Sequence, residues 1–501
     1  MVKLTRRAAL ETLGYGAAAG VGLGAGLLID GSSAAVAKTT SGALTVTNAT
    51  VSSWVKTRGS RYYIGHRGSG DVYPEHSLEG YRAAAAAGAQ CLEVSVEMTS
   101  DGQLICMHDA TYDRTTTAKG VAAGLPAAVL RGVRLSAPQL GPAWAVEPRP
   151  GVPFLSDVLD ALGGKVVLCI EAKQDAAYPS MMAMIEARGL KASVVVKAFY
   201  SSGRIPQARA SGYPVFAYFG AENDLSTARI NTLASQLDPS NDYIILPNSG
   251  KNGYIDSGLV RDAVATGVPV WVYASHRRVD AQHFFALGCT GIVGSSYQYL
   301  ATTAPVASTD AWSFGAISPG EMTRDPASVT YAPNWSNNEI HLGAQGPQHF
   351  LTLGQLGPLA KAGAAYTIKF EASWLALPSA LTENMTLAFG HADDAYYQHR
   401  SGLGGGYHAL LRADGRLELF RHDDGRTNGT SLAASLQSPA PTPGQWLKFQ
   451  LEVTPTRITW SRTDVAGATV SATDHTYRGG YLHIGRSSTD GVLAFRSLSV
   501  N

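Results

Sequence analysis

Several polar side chains share one face of an apolar stretch, LEVSVEMTSDGQLICMHD at residues 92–109. Strand alternation puts Glu93, Ser95 and Glu97 at like parity, and His108 ends the returning run. Carboxylates and an imidazole on one face of a strand suit either metal binding or proton transfer. This face is therefore the first candidate for chemistry.

A second set of polar residues stands at the ends of two other strand-like runs. His66 and Arg67 follow YYIG, and Glu171 and Lys173 belong to VVLCIEAK. Two inward carboxylates, such as Glu93 and Glu171, would repel by about 4 kcal/mol at about 4 Å and an effective dielectric near 20. They favour a cation between them, and oxygen ligands favour Ca²⁺ or Mg²⁺ over zinc.

The histidines and cations extend this prediction to a reaction class. His66 and His108 beside a metal are suited to act as general base and general acid, each contributing roughly 10²- to 10⁴-fold. Arg67 and Lys173 add positive charge that suits a phosphate oxygen. The combination predicts hydrolysis of a phosphodiester.

The elements that must position these residues form a barrel. Nine strand-like runs alternate with helical stretches from about residue 61 to 300, which predicts a closed parallel (β/α)8 barrel of the TIM type. Only residues 100–102 separate the second and third runs, so we expect a hairpin there. With Asp101 and Gly102 as a two-residue turn, Ser95 would lie opposite His108, and eight parallel strands would remain.

The sequence changes character after about residue 304. Runs such as YTIKFEASW and WLKFQLEV alternate apolar and polar residues between turn signals, which predicts an all-β sandwich of the jelly-roll kind. We therefore predict three segments: a leader at 1–37, the barrel domain at 38–303 and the sandwich at 304–501.

The leader has the features of an export signal. A basic start that includes Arg6 and Arg7 precedes a glycine-broken apolar run and Ala35-Val36-Ala37. The arginine pair indicates the twin-arginine type, with an ordinary secretory signal as the alternative. We expect a product released outside the cytoplasm, without a later membrane span.

Charge and cysteine content narrow the function classes further. The 501-residue chain has 40 basic and 39 acidic residues, and it shows no Lys/Arg run, which argues against nucleic-acid binding. Its four cysteines lie in apolar runs, and we favour free thiols over disulfides.

Residues 62–300 resemble the glycerophosphodiester phosphodiesterase family. The resemblance is carried in order by GHRG at 65–68, PEHS at 74–77, the stretch at 92–109, DRTT at 113–116, IEAK at 170–173 and WVYA at 271–274. It implies a phosphodiesterase barrel in which His66 and His108 are the acid and base pair. It also implies a divalent metal on Glu93 and Glu171, with Arg67 and Lys173 facing phosphate.

Two positions depart from the family pattern. Ser95 stands where the family has Asp, and His76 stands where it has Asn. A hydroxyl is a weaker, neutral ligand, so metal affinity should fall. Glu75, Glu97 or water could complete the shell, and we expect Ser95 to retune the site without abolishing it.

Aromatic residues leave two readings open in each half of the chain. Trp271 and Tyr273 would line a substrate pocket or pack in the core. The C-terminal half resembles, more loosely, the concanavalin-like lectin and glucanase sandwiches. That resemblance implies a sugar-binding face or, with the aromatics in the core, a passive appendage; the available aromatics are Trp335, Trp374, Tyr396, Tyr397 and Tyr407.

The resulting hypothesis is an exported, metal-dependent enzyme that releases glycerol 3-phosphate and an alcohol. Its substrates would be deacylated phospholipid head groups or glycerol-phosphate polymers of a cell wall. Water or a neighbouring glycerol hydroxyl could attack the phosphorus. The alternatives are a phospholipase D-like enzyme acting on lysolipids and a wall-carbohydrate binding protein with an impaired barrel.

Overall fold

The structure, a computed structural model, describes most of the chain in several ranges. These are residues 48–141, 144, 147–250, 253–302, 334–336, 339–343, 348–355, 365–395, 405–426, 428–487 and 490–501. The predicted export signal and the predicted linker after Thr302 lie outside them. Within these ranges, every helix is too short or too polar to cross a bilayer.

The first half of the chain contains a nine-stranded β-sheet that closes on itself. Eight strands run parallel in the order β1, β11, β10, β7, β6, β5, β4, β2, and a further β1–β2 pairing closes the barrel. The ninth strand, β3, is antiparallel to β2. The bounds of its strands are β1 Tyr62–Gly65, β2 Cys91–Met98, β3 Leu104–Cys106, β4 Val167–Ala172, β5 Val194–Phe199, β6 Val215–Tyr218, β7 Tyr243–Pro247, β10 Val270–Ser275 and β11 Gly291–Gly294. The strands β8 Ser249–Gly250 and β9 Gly253–Tyr254 pair with each other outside this sheet. The predicted TIM-type barrel with one returning strand is confirmed.

Helices cover the outside of the barrel. Their bounds are α1 Val51–Thr57, α2 Leu78–Ala86, α3 Ala127–Leu130, α4 Leu155–Leu162, α5 Ala177–Ala187, α6 Arg204–Ala210, α7 Thr227–Ala234, α8 Ser257–Ala265, α9 Arg278–Ala286 and α10 Tyr297–Ala301. Ser77 caps α2 by accepting a hydrogen bond from the Gly80 N–H group. All four cysteines are buried free thiols.

Strand alternation separates the two faces of β2. Leu92, Val94 and Val96 pack in the layer between sheet and helices, whereas Cys91 belongs to the cluster inside the barrel. Glu93 and Ser95, at the parity of Cys91, therefore point inward. The acidic face noted in the sequence is the interior of the barrel.

Aromatic rings close the amino-terminal end of the barrel interior. Trp54 of α1 lies 5.7 Å from Trp271 between ring centroids, and Trp271 also packs on Tyr62, Phe216 and Tyr243. Trp271 is fully buried. Of the two roles predicted for Trp271, a substrate pocket or the core, core packing describes its surroundings. The polar groups of the barrel interior lie at the opposite end.

The β2–β3 hairpin differs from the predicted register by one residue. Val96 pairs with Cys106, and Met107 donates its N–H group to the carbonyl of Ser95, so the predicted Ser95–His108 pairing is wrong. The loop has three residues, not two, because Gly102 adopts φ +81° and donates to the carbonyl of Thr99. His108 consequently follows β3 as a loop residue.

The second half is a sandwich of two antiparallel sheets. One sheet has the order β12, β13, β25, β15, β21, β22, β23, and the other has β14, β24, β16, β17, β18, β19, with β20 beside β18. The bounds are β12 Asn334–Ser336, β13 Glu339–Leu342, β14 Gln348–Gln355, β15 Tyr366–Ala376, β16 Asn384–Gly390, β17 Gly406–Arg412, β18 Arg416–His422, β19 Thr430–Ser431, β20 Leu436–Gln437, β21 Leu447–Val453, β22 Arg457–Arg462, β23 Thr469–Thr473, β24 Gly479–Ser487 and β25 Val492–Val500. The predicted sandwich is confirmed, while its lectin-like character stays a prediction.

The aromatics proposed for sugar binding have other surroundings where the structure describes them. Trp374 and Tyr407 are buried in the sandwich core. Trp335 donates its indole N–H group to the Gln139 carbonyl of the barrel domain at 3.0 Å. Tyr396 and Tyr397 lie outside the described residues. The core reading therefore describes Trp374 and Tyr407, because alternation turns both toward the facing sheet.

One carboxylate ties the sandwich to the barrel. Asp394, after β16, accepts hydrogen bonds from the backbone N–H groups of Arg278 and Val279 at 2.6 and 2.9 Å. It also accepts one from the Tyr299 hydroxyl at 2.8 Å. The sandwich thus supplies the N-terminal cap of α9, which its own N-cap residue Arg277 does not provide through a side-chain hydrogen bond.

Candidate active site at the carboxyl ends of the barrel strands

His66 begins a turn at the carboxyl end of β1. Its Nδ1 lies 2.9 Å from the Ser295 hydroxyl, which follows β11. Burial, with Arg67 adding to it, holds the pKa of His66 well below its ordinary value. The imidazole is therefore neutral near pH 7 and able to accept a proton.

The turn places Arg67 in an uncommon backbone conformation. Arg67 has φ 50° and Ser69 has φ 66°, a region that side chains other than glycine rarely adopt and that is typical of functional sites. In this conformation the Arg67 N–H group donates to Glu93 Oε2 at 3.1 Å. The guanidinium meanwhile lies 3.2 Å from Glu75.

Two buried carboxylates and one lysine meet inside the barrel. Nζ of Lys197, from β5, lies 2.6 Å from Glu93 Oε1 and 3.1 Å from Glu171 Oε2. Burial alone would raise the pKa of Glu93, but Lys197 and the other nearby cations hold it well below the ordinary value. Burial would likewise lower the pKa of Lys197, but Glu171 and Glu93 raise it well above the usual range. The three groups are a charged cluster.

Glu171 has two further donors on its other oxygen. Lys173 Nζ lies 3.2 Å from Oε1, and the Tyr218 hydroxyl donates to the same oxygen at 2.7 Å. The Tyr273 hydroxyl donates to the Phe219 carbonyl at 2.7 Å, and its half-buried ring faces Lys197. Tyr273, unlike Trp271, thus borders the charged cluster.

His108 belongs to a network of ion pairs that also includes Asp109, Arg114 and Glu75. Its Nδ1 lies 2.9 Å from Asp109 Oδ1, and Arg114 binds the other oxygen of Asp109 at 2.6 Å. Arg114 also forms two 2.8 Å hydrogen bonds to Glu75. Burial lowers the pKa of His108 while Asp109 raises it in part. Asp109 therefore orients the ring with Nδ1–H and leaves Nε2 for chemistry.

Glu75 and Glu97, considered as substitute metal ligands, are both engaged elsewhere. Glu75 lies between Arg67 and Arg114, whose charges overcome its burial and hold its pKa below the ordinary range. Glu97 is buried, and Gln174 donates to it at 2.5 Å. Burial raises the pKa of Glu97 to about 7.

Ser95 is buried at the level of the charged cluster. It pairs in register with Glu171 across β2 and β4, and its hydroxyl has no hydrogen-bond partner among the described residues. It is neither exposed nor part of the ion pairs around Lys197. Ser95 therefore stands beside the charged cluster, at the position where the family pattern has a third acid.

The structure brings most of the predicted site residues together. His66 and His108 both lie within electrostatic range of Arg67 and Glu93. Glu171 and Lys173 join Glu93 through Lys197. These residues come from four strand ends or the loops after them, as expected for a barrel site.

Sequence reasoning missed the residues that organise the site. They are Lys197, Asp109, Arg114, Tyr218 and Ser295. Lys197 had a signal, since it is a lysine at an inward position of the strand-like run SVVVKAF. Arg114 lies within the DRTT match, but no spacing in the sequence reveals that it bridges Asp109 and Glu75.

Known proteins are similar in sequence to the barrel half of this chain. Residues 66–295 match the profile of the Glycerophosphoryl diester phosphodiesterase family. A probable glycerophosphodiester phosphodiesterase 1 of Mycobacterium tuberculosis is 38% identical over 79 residues, which are 16% of this chain and 29% of that protein. The glycerophosphodiester phosphodiesterase of Bacillus subtilis is 34% identical over 123 residues, which are 24% of this chain and 42% of that protein. The matches thus span less than half the length of either relative.

Among solved structures, an Oleispira antarctica phosphodiesterase in complex with the product sn-glycerol-3-phosphate is 18% identical. The alignment covers 48% of this chain and 94% of that chain, with a TM-score of 0.40. The fold and site define a TIM-type barrel that holds two imidazoles, two buried carboxylates and several cations. The Glycerophosphoryl diester phosphodiesterase family match at residues 66–295 lies in this barrel.

Proposed function

We propose that the barrel hydrolyses glycerophosphodiesters to glycerol 3-phosphate and an alcohol. The observation that carries the proposal is the pairing of two imidazoles with different partners, His66 with Ser295 and His108 with Asp109, beside Arg67. The match of residues 66–295 to the family supports the substrate class.

Fixed cations at the barrel mouth suit a phosphate monoanion. Arg67 and Lys173 are partly exposed, with 18% and 19% of their side chains accessible, whereas Lys197 is buried. Arg67 can therefore offer its guanidinium to a phosphate oxygen, and Lys173 can offer a point charge. Both act where negative charge grows in the transition state.

The two histidines differ in ways that assign their roles. His66 lies beside Arg67 and is held neutral, so it accepts the proton of the attacking water or glycerol hydroxyl. In its imidazolium form, which Asp109 stabilises, His108 carries a proton on Nε2 and delivers it to the departing alcohol oxygen. One phosphorus–oxygen bond forms and one breaks. When a glycerol hydroxyl attacks, the product is a cyclic phosphate, which water must then open to give glycerol 3-phosphate. The two rings exchange their protons with solvent before the next cycle.

Members of this family generally depend on a divalent metal, and Ca²⁺ or Mg²⁺ on Glu93 and Glu171 is the ion that the sequence predicts. The donor set does not fit such an ion. Three of the four oxygens of these carboxylates accept hydrogen bonds from the protein, and the fourth, Glu171 Oε2, lies 3.1 Å from Lys197 Nζ. A dication held by these oxygens would share them with the Lys197 ammonium, and the two like charges would repel in this buried site.

No additional ligand offsets this repulsion. Ser95 adds only a neutral hydroxyl, and Glu75 is held by two arginines. The described residues contain no group of three or more histidine, cysteine or acidic side chains arranged to hold a metal. We therefore derive proton transfer and phosphate binding from the side chains alone.

Product analysis tests the proposed activity. Purified protein would be incubated with glycerophosphocholine, glycerophosphoethanolamine, a lysolipid and a poly(glycerol phosphate). Release of glycerol 3-phosphate from the first two, lost by at least 100-fold in His66→Ala and His108→Ala, would support the proposal. Release of choline or ethanolamine from the lysolipid alone would favour the phospholipase D-like alternative, and no turnover of any diester would contradict the proposed function.

We also propose that the enzyme acts outside the cytoplasm. Residues 1–37 have the basic start, apolar run and small-residue cleavage site of an export signal. Fusing them to a reporter that is active only after folded export would test the twin-arginine type. Changing Arg6 and Arg7 to lysine should abolish the signal, whereas unchanged export would point to an ordinary secretory route.

A further inference from the structure

Lys197 holds the position between the two carboxylates that a bridging cation would take. Its ammonium group bridges Glu93 and Glu171 at 2.6 and 3.1 Å and is itself buried. We propose that Lys197 replaces the divalent ion in this site, so that the barrel performs its proposed reaction without a metal. The catalytic consequence rests on the proposed function, while the metal affinity can be measured independently.

Charge balance supports the replacement. Glu93 and Glu171 carry two negative charges, and Lys197 and Lys173 already place two positive charges against them. A site with a third acid at position 95 would have charge to spare for a dication. With Ser95 there, a monovalent ammonium suits the remaining acids.

Geometry supports the same conclusion. The ring of Tyr218 lies 4.8 Å from Lys197 Nζ, and the ring of Tyr273 lies 5.8 Å away. Aromatic faces stabilise a desolvated ammonium, whereas they supply no ligand to a hard dication. The same lysine fixes the carboxylate of Glu93, which accepts from the Arg67 backbone in the turn that carries His66. Lys197 is therefore a positioning residue.

The role of Lys197 predicts insensitivity to chelators. Protein stripped with EDTA and assayed in EDTA should turn over glycerophosphocholine within twofold of the rate measured with added Ca²⁺ or Mg²⁺. Lys197→Gln should lower kcat/KM in EDTA by at least 100-fold, and Lys197→Arg should retain part of the activity and the EDTA resistance. Lys119→Gln, at a lysine whose side chain is 74% exposed, is the control and should stay within twofold.

Calorimetric titration with CaCl₂ and MgCl₂ decides the proposal even if no diester is turned over. Wild type and Ser95→Asp should bind neither ion in the millimolar range, because Lys197 remains in place. The double variant Ser95→Asp/Lys197→Gln should bind at least tenfold more tightly than either. Tight Ca²⁺ or Mg²⁺ binding by wild type, or activity that EDTA abolishes and the metal restores, would overturn the proposal while leaving the proposed function intact. Absence of turnover in every condition would instead reject the proposed function.

Discussion

The buried carboxyl of Glu97 should make the stability of the barrel depend on pH. Burial raises its pKa from 4.5 to about 7. Between these values the unfolded chain loses the proton while the native barrel keeps it, so the native state is stabilised at low pH and loses this stabilisation as pH rises. Integrated between pH 5 and 8, the loss is about 2.5 kcal/mol.

Glu97→Gln removes this dependence because the amide does not titrate. Urea titrations of both proteins at pH 5, 6, 7 and 8 should show the variant gaining about 2.5 kcal/mol relative to wild type across the range. Glu79→Gln makes the same chemical change at an exposed position of α2 and should show no comparable trend. A Glu97→Gln difference that stays constant with pH would show that Glu97 is ionised in the folded barrel and would refute the reasoning.

Three further substitutions test other contacts. Arg114→Ala frees Asp109 and should lower kcat/KM about 10-fold through His108, visible as a shifted alkaline limb of the pH–rate profile, because His108 acts as the general acid; an unshifted profile would remove Arg114 from the proton path. Asp394→Ala uncaps α9 and should cost about 1–3 kcal/mol by calorimetry, and no change in unfolding temperature would show that the cross-domain cap is unimportant. Trp271→Ala should cost about 3–5 kcal/mol in urea without a selective rise in KM, and a raised KM at wild-type stability would return Trp271 to the substrate pocket.

The barrel was predictable because strand periodicity and turn chemistry are local. Alternation along β2 identified the inward face of Glu93 and Ser95 before any tertiary contact was known. The predicted hairpin register was wrong by one residue because Gly102 supports a three-residue loop as readily as a two-residue one. Parity was therefore correct along β2, but the one-residue slip made the predicted face of His108 wrong.

The charged cluster was only half predictable. Carboxylates on inward strand positions require a positive partner, and the sequence identified that requirement correctly. It offered Lys197 only as an inward lysine of the strand after Glu171, because alternation does not show that its ammonium reaches both carboxylates. The family resemblance implies a metal ion, not a lysine, as the positive partner.

The aromatics of the sandwich show the same limitation. Trp374 and Tyr407 occupy strands that face another sheet, and alternation alone does not say which face is covered. Composition therefore left both interpretations open, and packing of the second sheet buried Trp374 and Tyr407. Sugar binding by this domain stays a prediction.

Changing the leaving group tests the division of labour between the two histidines most directly. Wild type, His66→Ala and His108→Ala would be compared on glycerophosphocholine and on the p-nitrophenyl ester of glycerol phosphate, whose departing phenolate needs no proton. We expect the loss of activity caused by His108→Ala to be at least tenfold smaller on the nitrophenyl ester than on glycerophosphocholine. His66→Ala should be equally impaired on both substrates. Equal losses for His108→Ala on the two esters, or recovery confined to His66→Ala, would contradict the assignment of acid and base.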